Sequence, residues 1–565
     1  MKSWWGCVVL LLLIWTVVIY IVNPAGEFMI NDDFAFTKAL NTLSTHEILG
    51  PTWMGPQGEG GGPALITHLL WGLLFSEIFG HSLTVLRLSV LTLSVMGSLA
   101  FFFLLKTTQA GDWVSFWGTL ALIFNPLYFS QSFTFMTDIT FLSLVIFSFL
   151  LIQQGIDTNQ VLVVAIGLVF GLLATLSRQF GIIASLAFVL TCFIHPKGRQ
   201  FGRTRAIVMT VMLTILPWLA FERFLYWTGS TPVTEHVLLH ELFTYPISKG
   251  FPDYLVFIFG QLFQSVLGYT AFFVSPVAAL LYKQYFQRAA FRYFFYIVTA
   301  FFVMLELAIF AGFINPPEFI TGNVLFNFGI GPILLKDTYI LGIKRIASLP
   351  PWFYYILVWW AVVSLGIILP LIYNCICQIL RMMIQSSENT QISFLSCLSI
   401  IFILIYGGAI ILIGIRDRYL IPLSAMAIIF LFSYSGELKN CCLSLKGLIP
   451  AAVPLFFMII LSVAGTHDFM ALKRSQTLAL NYLTQDLKVR PCNLDGGMEF
   501  NGYNAYHLDH APPRGVSWWW VDREDYVVTL GNLNGFQTVR KFPFHRLLGK
   551  DGTIYVLKPK IAQSQ

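Results

Sequence analysis

Residues Met29–His46, MINDDFAFTKALNTLSTH, follow the first long apolar segment of the chain almost directly. The stretch opens with two adjacent carboxylates, Asp32 and Asp33. Behind them runs an amphipathic helical pattern, with Phe34, Leu40 and Leu43 apolar and Lys38, Asn41 and Thr45 polar. Such a segment lies in the lipid headgroup region with its carboxylates at the water boundary. Mutual repulsion there raises one pKa of the pair. The alternative is that the two acids merely cap a helix.

The composition of the whole chain defines its class. Of 565 residues, 57% are hydrophobic and only 11% are charged, and the mean hydropathy is +0.74. These values predict a polytopic membrane protein. The net charge of +6 is small for this length, so a nucleic-acid partner is not expected. The basic surplus belongs to cytoplasmic loops.

Apolar runs predict an all-α membrane domain of about thirteen spans. They are Trp4–Val22, Ser82–Leu105, Trp113–Phe129, Asp138–Gln154, Val161–Leu176, Gly181–Ile194, Ala206–Leu225, Leu255–Leu281, Tyr293–Phe313, Phe353–Ile376, Ser393–Ile415, Tyr419–Tyr434 and Leu448–Ala464. Basic residues are concentrated in the loops after even-numbered spans, which predicts a cytoplasmic N-terminus and an outside C-terminus. In the long first outside loop, residues 24–81, a second amphipathic stretch, Ala64–Phe79, is expected to lie parallel to the membrane.

The composition becomes polar after the last span. We therefore predict two domains, a membrane domain over residues 1–464 and a small soluble α/β domain over residues 465–565. The second begins with a helix, His467–Lys488, and continues with strand-like pieces at Asp495–Tyr503, Asp525–Leu530 and Thr553–Leu557. The outside segments contain no Asn-x-Ser/Thr acceptor, which favours a bacterial inner membrane with the C-terminal domain in the periplasm.

Two features besides the Asp pair lie near the predicted outer face in the first half of the chain. Asp138 follows the third span and is either a functional acid or the cap of the fourth helix. Arg178 lies between two apolar runs, where a lone guanidinium either binds an anion or snorkels to the interface.

A further basic cluster occurs late in the chain, at the outer end of the eleventh span. It reads Arg416-Asp417-Arg418-Tyr419. Two arginines flanking an acid can bind a phosphate, with the acid orienting them. Ordinary anchoring at the interface is the alternative.

Carboxylates and arginines at one membrane face suit a substrate that is half lipid and half polar. A lipid-linked phosphosugar would keep its tail in the bilayer, place its phosphate on the arginines and reach the carboxylates with its sugar. Neutralised phosphate leaves readily, whereas an acceptor hydroxyl needs a base. A base and a leaving group on opposite faces of the sugar imply a single displacement with inversion.

With these motifs in this order, the chain resembles the GT-C superfamily of polyprenyl-phosphate-sugar glycosyltransferases, which includes the protein O-mannosyltransferases and the lipid A aminoarabinose transferases. The resemblance makes Asp32 the presumed base, with Asp33 in place of the usual Glu, Asp138 the acid after the third helix and Arg418-Tyr419 the late Arg-Tyr pair. The family's Lys-Pro-Pro-Leu is here Gly62-Pro63-Ala64-Leu65. Since its phosphate-binding Lys is missing, phosphate binding shifts to Arg178, Arg416 and Arg418.

The function predicted from these residues is sugar transfer from a polyprenyl-phosphate carrier to a hydroxyl of an envelope glycan, lipid or protein, among membrane lipids. A lipid-linked glycan polymerase, flippase or transporter is the alternative. No cofactor is expected. A divalent metal is possible, but His46, His68 and Glu59 have no recognised ligand spacing.

Overall fold

The computed structural model describes most of the chain. The described residues are 3–45, 65–229, 250–285, 351–385, 392–413, 416–434, 445–506, 516–517, 519–548 and 550–560, with isolated positions between 292 and 330. Most of the Gly/Pro-rich part of the first loop, including Gly62 to Ala64, and most of the predicted span Tyr293–Phe313 lie outside them.

Helices make up nearly all of the described membrane region. In chain order they are α1 (Ser3–Val22), α2 (Asp33–Thr45), α3 (Ile66–Phe79), α4 (Leu83–Thr107), α5 (Asp112–Ile123), α6 (Pro126–Gln131), α7 (Thr137–Thr158), α8 (Val161–Thr175), α9 (Ile182–Ile194), α10 (Pro196–Phe201), α11 (Arg203–Thr210), α12 (Leu216–Trp227), α13 (Phe251–Gly260), α14 (Thr270–Tyr285), α15 (Pro351–Gln385), α16 (Phe394–Ile413), α17 (Leu420–Tyr434) and α18 (Leu445–Asn481). The π-helical turns Val211–Ile215 and Gln261–Tyr269 join α11 to α12 and α13 to α14.

Eight of the described helical segments are long and apolar enough to cross a membrane, and α3, α8 and the region of α9 are shorter apolar helices. The protein is therefore an integral membrane protein, and the predicted helical class is confirmed. The helix pairs α7 with α8, α4 with α7 and α16 with α17 pack against one another, while α14 contacts both α15 and α18.

The predicted third span, Trp113–Phe129, is wrong in detail because the helix breaks at Asn125-Pro126. Pro126 has no N–H to donate and disfavours helical backbone in the residue before it. Helix α5 therefore ends at Ile123, and Asn125 caps α6 by accepting a hydrogen bond from the Leu127 amide at 2.9 Å. The segment after the break lies next to the first loop, since the Phe135 carbonyl oxygen, just before α7, is 3.3 Å from Nε2 of His68 in α3.

The last membrane helix continues into the C-terminal region without interruption. Helix α18 has 37 residues, so at ~1.5 Å per residue it is longer than the ~30 Å apolar core of a bilayer. The residues predicted as a separate helix, His467–Lys488, are largely its extension. Only the end of the predicted helix departs from α-helical geometry, because α18 ends at Asn481 and a π-helical turn, Tyr482–Asp486, follows it.

A small sheet packs against this extension of α18. Its strands are β3 (Leu494–Asp495), β4 (Tyr526–Thr529), β5 (Phe536–Phe544) and β6 (Gly552–Pro559). They lie in the order β3-β4-β6-β5, and only β3 and β4 are parallel. Two shorter strands, β1 (Leu325–Phe326) and β2 (Gly329–Ile330), pair antiparallel elsewhere in the chain.

The α/β class of the C-terminal region is confirmed, but two of its elements differ from prediction. The stretch Asp495–Tyr503 is mostly helical, because α19 (Met498–Ala505) follows immediately after β3. Strand β5 was missed because most of its residues are exposed, so it lacks the alternation of apolar and polar residues that identifies a half-buried strand.

Helix α2 lies between two protein layers. Its predicted apolar residues Phe34, Leu40 and Leu43 are all buried, and the helix contacts both α3 and α19. A Cβ atom at Gly502 of α19 would lie 2.6 Å from the Phe34 ring, so the absence of a side chain at Gly502 permits this close packing. The C-terminal region therefore packs against the described start of the first loop.

Arg87, one turn into α4, fixes the start of the first loop. The fully buried guanidinium donates to the backbone carbonyls of Gly26 and Phe28, both at 2.7 Å, and also to that of Pro24. It also lies over the Phe28 ring, 4.0 Å from the centroid. Arg87 thus replaces the hydrogen bonds that regular secondary structure would supply to this segment.

We expect Arg87→Met to lower the free energy of unfolding by about 3 kcal/mol, because three buried carbonyls lose a charged donor. Thermal unfolding in detergent measures this as a lower Tm. The control is Lys197→Met, whose side chain is 54% exposed and pairs with Asp157, and whose loss should cost less than about 1 kcal/mol. Equal effects of the two substitutions would contradict the role of Arg87.

Candidate active site

The adjacent acids Asp32 and Asp33 have different environments. The Asp32 carboxylate is 39% exposed and accepts a hydrogen bond from the Arg418 guanidinium at 3.0 Å. The Asp33 carboxylate is buried, and its Oδ1 accepts a hydrogen bond from the backbone amide of Ile30 at 2.6 Å. Helix α2 begins between them. Only Asp32 of the two is directed toward the arginine cluster.

Burial raises the pKa of the Asp33 carboxyl well above its usual value. The positive charge of Arg87 and the hydrogen bond from Ile30 oppose this shift, while Glu499 reinforces it. Asp33 is therefore the member of the pair whose pKa is raised, and burial rather than repulsion by Asp32 is the main cause. The contact of Asp33 with the Ile30 amide and its proximity to Arg87 indicate that Asp33 stabilises the conformation of the loop.

Asp138 and Arg178 form a buried ion pair. Nη1 of Arg178 donates to Oδ1 of Asp138 at 2.5 Å, and their side chains are 14% and 4% exposed. Arg178 follows α8 with extended backbone, and Asp138 lies in the first turn of α7. Asp138 makes no capping hydrogen bond there, since the cap position is Met136, and Arg178 is directed into the protein. Neither helix capping nor snorkelling describes these residues.

Arg418 connects the two acidic positions. It lies on a 3₁₀ turn, Asp417–Tyr419, between α16 and α17, with a side chain that is 12% exposed. Besides its bond to Asp32, it approaches the sulfur of Met136, the residue at the cap of α7. The Tyr419 ring lies 4.9 Å from the Arg178 guanidinium carbon and 5.8 Å from that of Arg418. The cluster is thus Asp32, Arg418, Tyr419, Arg178 and Asp138.

Two polar atoms of this cluster are buried without a hydrogen-bond partner among the described residues. They are Oδ2 of Asp138 and Nε of Arg418. A buried unpaired polar atom costs about 1–3 kcal/mol, so such atoms call for an explanation. One is an acceptor that suits a hydroxyl, and the other is a donor that suits an anion. Together they match the two polar parts of a phosphosugar.

Arg416, which the sequence suggested as a phosphate ligand, lies apart from this cluster, and so does Arg87. Arg416 is exposed and makes none of the cluster's contacts in the described part of the chain. Arg87 donates its hydrogen bonds to backbone carbonyls at the start of the first loop. Asp417 is buried and accepts a hydrogen bond from the Arg418 amide at 2.7 Å, which stabilises the turn.

The residues considered for a metal do not form a site in the described structure. No three His, Cys, Asp or Glu side chains group there as ligands, and His46 and Glu59 lie outside the described residues. His68 of α3 is buried, with Nε2 3.3 Å from the Phe135 carbonyl oxygen and Nδ1 2.9 Å from the Thr140 hydroxyl. Burial lowers the pKa of His68 to about 3, so it is a neutral packing residue.

Sequence reasoning missed the residues that support the cluster. The hydroxyl of Tyr406, in α16, donates to the Tyr419 carbonyl at 3.1 Å, and the Phe180 ring packs on both tyrosines. Nothing in an apolar span distinguishes such residues. Lys473 of α18 did carry a signal, since it lies seven residues before Leu480, on the same face of the helix, and Leu480 is buried.

The whole chain is similar to ArnT from Cupriavidus metallidurans. Against its apo state the match covers 98% of both chains at 12% identity with a TM-score of 0.36. Against ArnT bound to undecaprenyl phosphate it covers 100% of this chain and 99% of the other, at 11% identity with a TM-score of 0.38. No protein-family model and no curated protein matches the sequence. Likeness at this level carries no functional argument, which rests on the residues described above.

The environment of Asp33 predicts a pH dependence of stability. Because burial raises its pKa in the folded state, its contribution to stability is complete below the unfolded pKa of about 4 and is lost as the pH rises toward the folded value. Asp33→Asn does not titrate and can still accept from Ile30. We therefore expect the Tm of the wild type to fall relative to that of the variant between pH 4 and pH 8. A difference independent of pH would exclude a raised pKa.

Proposed function

We propose that the protein is an inverting glycosyltransferase. It moves a sugar from a polyprenyl-phosphate carrier to a hydroxyl of an envelope glycan, lipid or protein at the outer face of the bacterial inner membrane. The proposed orientation has a cytoplasmic N-terminus and a periplasmic C-terminal region. The order of its acidic and Arg-Tyr motifs, which resembles that of GT-C enzymes, supports this proposal.

The observation that carries the proposal is the five-residue cluster at one end of the membrane helices. It joins two carboxylates and two mostly buried arginines where α2, α7, α8 and α17 meet. Arginine suits phosphate because its planar guanidinium donates two parallel hydrogen bonds. Spans that surround such a cluster allow the lipid tail of the donor to remain in the bilayer.

In the proposed reaction the donor phosphate binds Arg418 and Arg178. Binding of an anion at Arg418 competes with Asp32 for the guanidinium and so releases the Asp32 carboxylate to act as a base. The acceptor oxygen attacks the anomeric carbon, its proton passes to Asp32, and the bond from the anomeric carbon to the phosphate oxygen breaks. The polyprenyl phosphate leaves with the electron pair, stabilised by the two guanidinium groups. Asp138 would hold a sugar hydroxyl through its unpaired oxygen.

A flippase or transporter fits the described charges less well. Such proteins bind their substrates near the middle of the membrane, often at interrupted helices. Here the Asp and Arg residues of the cluster lie at helix ends. A polymerase of lipid-linked glycans would use the same membrane face and the same chemistry, and it remains within the proposed reaction class if its acceptor is itself a lipid-linked glycan.

Asp32→Asn should lower turnover about a hundredfold or more, because the side chain keeps its shape but loses its basicity. The KM for the donor should change little. Purified protein with labelled polyprenyl-phosphate sugars and envelope glycan and lipid extracts provides the assay. Asp33→Asn is the matched control, since its carboxyl faces away from the cluster, and it should cost less. Near-normal transfer by Asp32→Asn would exclude Asp32 as the base.

Arg418→Lys should raise the donor KM roughly thirtyfold, equivalent to about 2 kcal/mol, because the paired hydrogen bonds to phosphate are lost while the charge remains. The control is Arg416→Lys, two residues earlier and exposed, which should leave the KM within about twofold. If the two variants respond alike, the phosphate does not bind at Arg418.

A further inference from the structure

A second buried charge pair links the C-terminal region to the loop that bears Asp32. Lys473, on α18, donates to Oε1 of Glu499, on α19, at 2.7 Å, and their side chains are only 2% and 8% exposed. The same Oε1 accepts a hydrogen bond from the backbone amide of Asn31 at 3.2 Å. A carboxylate of the C-terminal region therefore holds the residue that directly precedes Asp32.

The backbone of Asn31 is in a conformation that needs support. Its φ is +58°, in the left-handed region that Asn tolerates better than most residues but that still costs free energy. After this turn the Asp32 side chain is directed toward Arg418, whereas the Asp33 side chain is directed into the protein interior. A change of φ at Asn31 would reorient Asp32, so the acceptor of the Asn31 amide bears on the position of the Asp32 carboxylate.

Neighbouring contacts leave little other freedom in this segment. Arg474, adjacent to Lys473, donates to the Asn23 carbonyl at 2.7 Å, and Arg87 holds the carbonyls of Gly26 and Phe28 from the membrane side. The loop is thus fixed at its start by α4 and α18. Glu499 is the contact nearest in sequence to Asp32 that comes from the C-terminal region.

From this arrangement we infer that Glu499, oriented by Lys473, is a positioning residue for Asp32. It fixes the turn at Asn31, so that docking of the C-terminal region sets the geometry of the base. The inference rests on the proposed function of Asp32. It makes the C-terminal region a part of the transfer machinery, although none of the described residues of that region belongs to the Asp32–Asp138 cluster.

The competing explanation is that the pair only attaches the C-terminal region to the membrane domain. Two double variants separate these roles. Lys473→Met with Glu499→Gln removes both charges but keeps an acceptor oxygen for the Asn31 amide. Lys473→Met with Glu499→Leu removes both charges and also the acceptor. Replacing both members of a buried pair together leaves no uncompensated charge, which makes folded variants the expected outcome.

We expect the Met/Gln variant to keep kcat within about threefold of the wild type. The Met/Leu variant should lose tenfold or more in kcat, while its donor KM stays within about twofold, because the phosphate ligands are untouched. Equal kcat values for the two variants, or a loss confined to KM, would overturn the inference. If a double variant does not fold, Glu499→Gln and Glu499→Leu are compared instead. Both leave Lys473 without its counter-charge, so equal kcat values for these two variants would also overturn the inference.

Hydrogen exchange of the peptide that contains residues 29–36 provides a readout that needs no activity. Protection of this segment should fall in the Met/Leu variant and persist in the Met/Gln variant, and equal protection would overturn the inference. The control is Gln476→Leu, which removes another buried contact of α18, to the Gly496 carbonyl at 2.7 Å, and should leave the segment protected. If the wild type transfers no sugar, the proposed function fails, while the exchange result still decides the role of Glu499.

Discussion

The site depends on the pairing of arginines with carboxylates where helix ends meet. A guanidinium that is nearly buried at a membrane face needs a counter-charge, because its desolvation is otherwise costly. Arg178 obtains this charge from Asp138 and Arg418 obtains it from Asp32. These two pairs tie α2, α7, the end of α8 and the start of α17 together. The same pairs leave polar atoms unsatisfied, so the stabilising contacts and the capacity to bind a polar ligand have one origin.

The first loop is ordered by buried charges rather than by regular secondary structure. Between the end of α1 and the start of α2 its backbone carbonyls are satisfied by Arg87 and Arg474, and its amides by the carboxylates of Asp33 and Glu499. Such an arrangement can fix an irregular conformation precisely. It also makes the position of Asp32 sensitive to groups that come from α4, α18 and α19.

The residue types of the candidate cluster were predicted from sequence, but individual residues were harder to separate. The sequence singled out four charged residues because a charge beside an apolar run is costly unless it has a partner or a function. They are Asp32, Asp138, Arg178 and Arg418. Residue type alone did not separate Arg416 from Arg418, since both flank the same acid, and only the resemblance to GT-C enzymes favoured Arg418. Whether an arginine meets backbone carbonyls or leaves a donor unpaired depends on segments distant in the chain.

The sequence by itself determined the class of the protein, most of the spans, both amphipathic segments of the first loop and the α/β character of the C-terminal region. These follow from local periodicity and composition, which act over a few turns of helix. Only the tertiary structure decided which acid faces the cluster and which is buried, where the third span breaks in relation to the site, and that Glu499 reaches Asn31. Residues 31 and 499 are brought together by α18, a helix that leaves the membrane and returns the C-terminal region over the first loop. A contact between residues so far apart in the chain cannot be predicted from local sequence patterns, because the packing of the whole chain determines it.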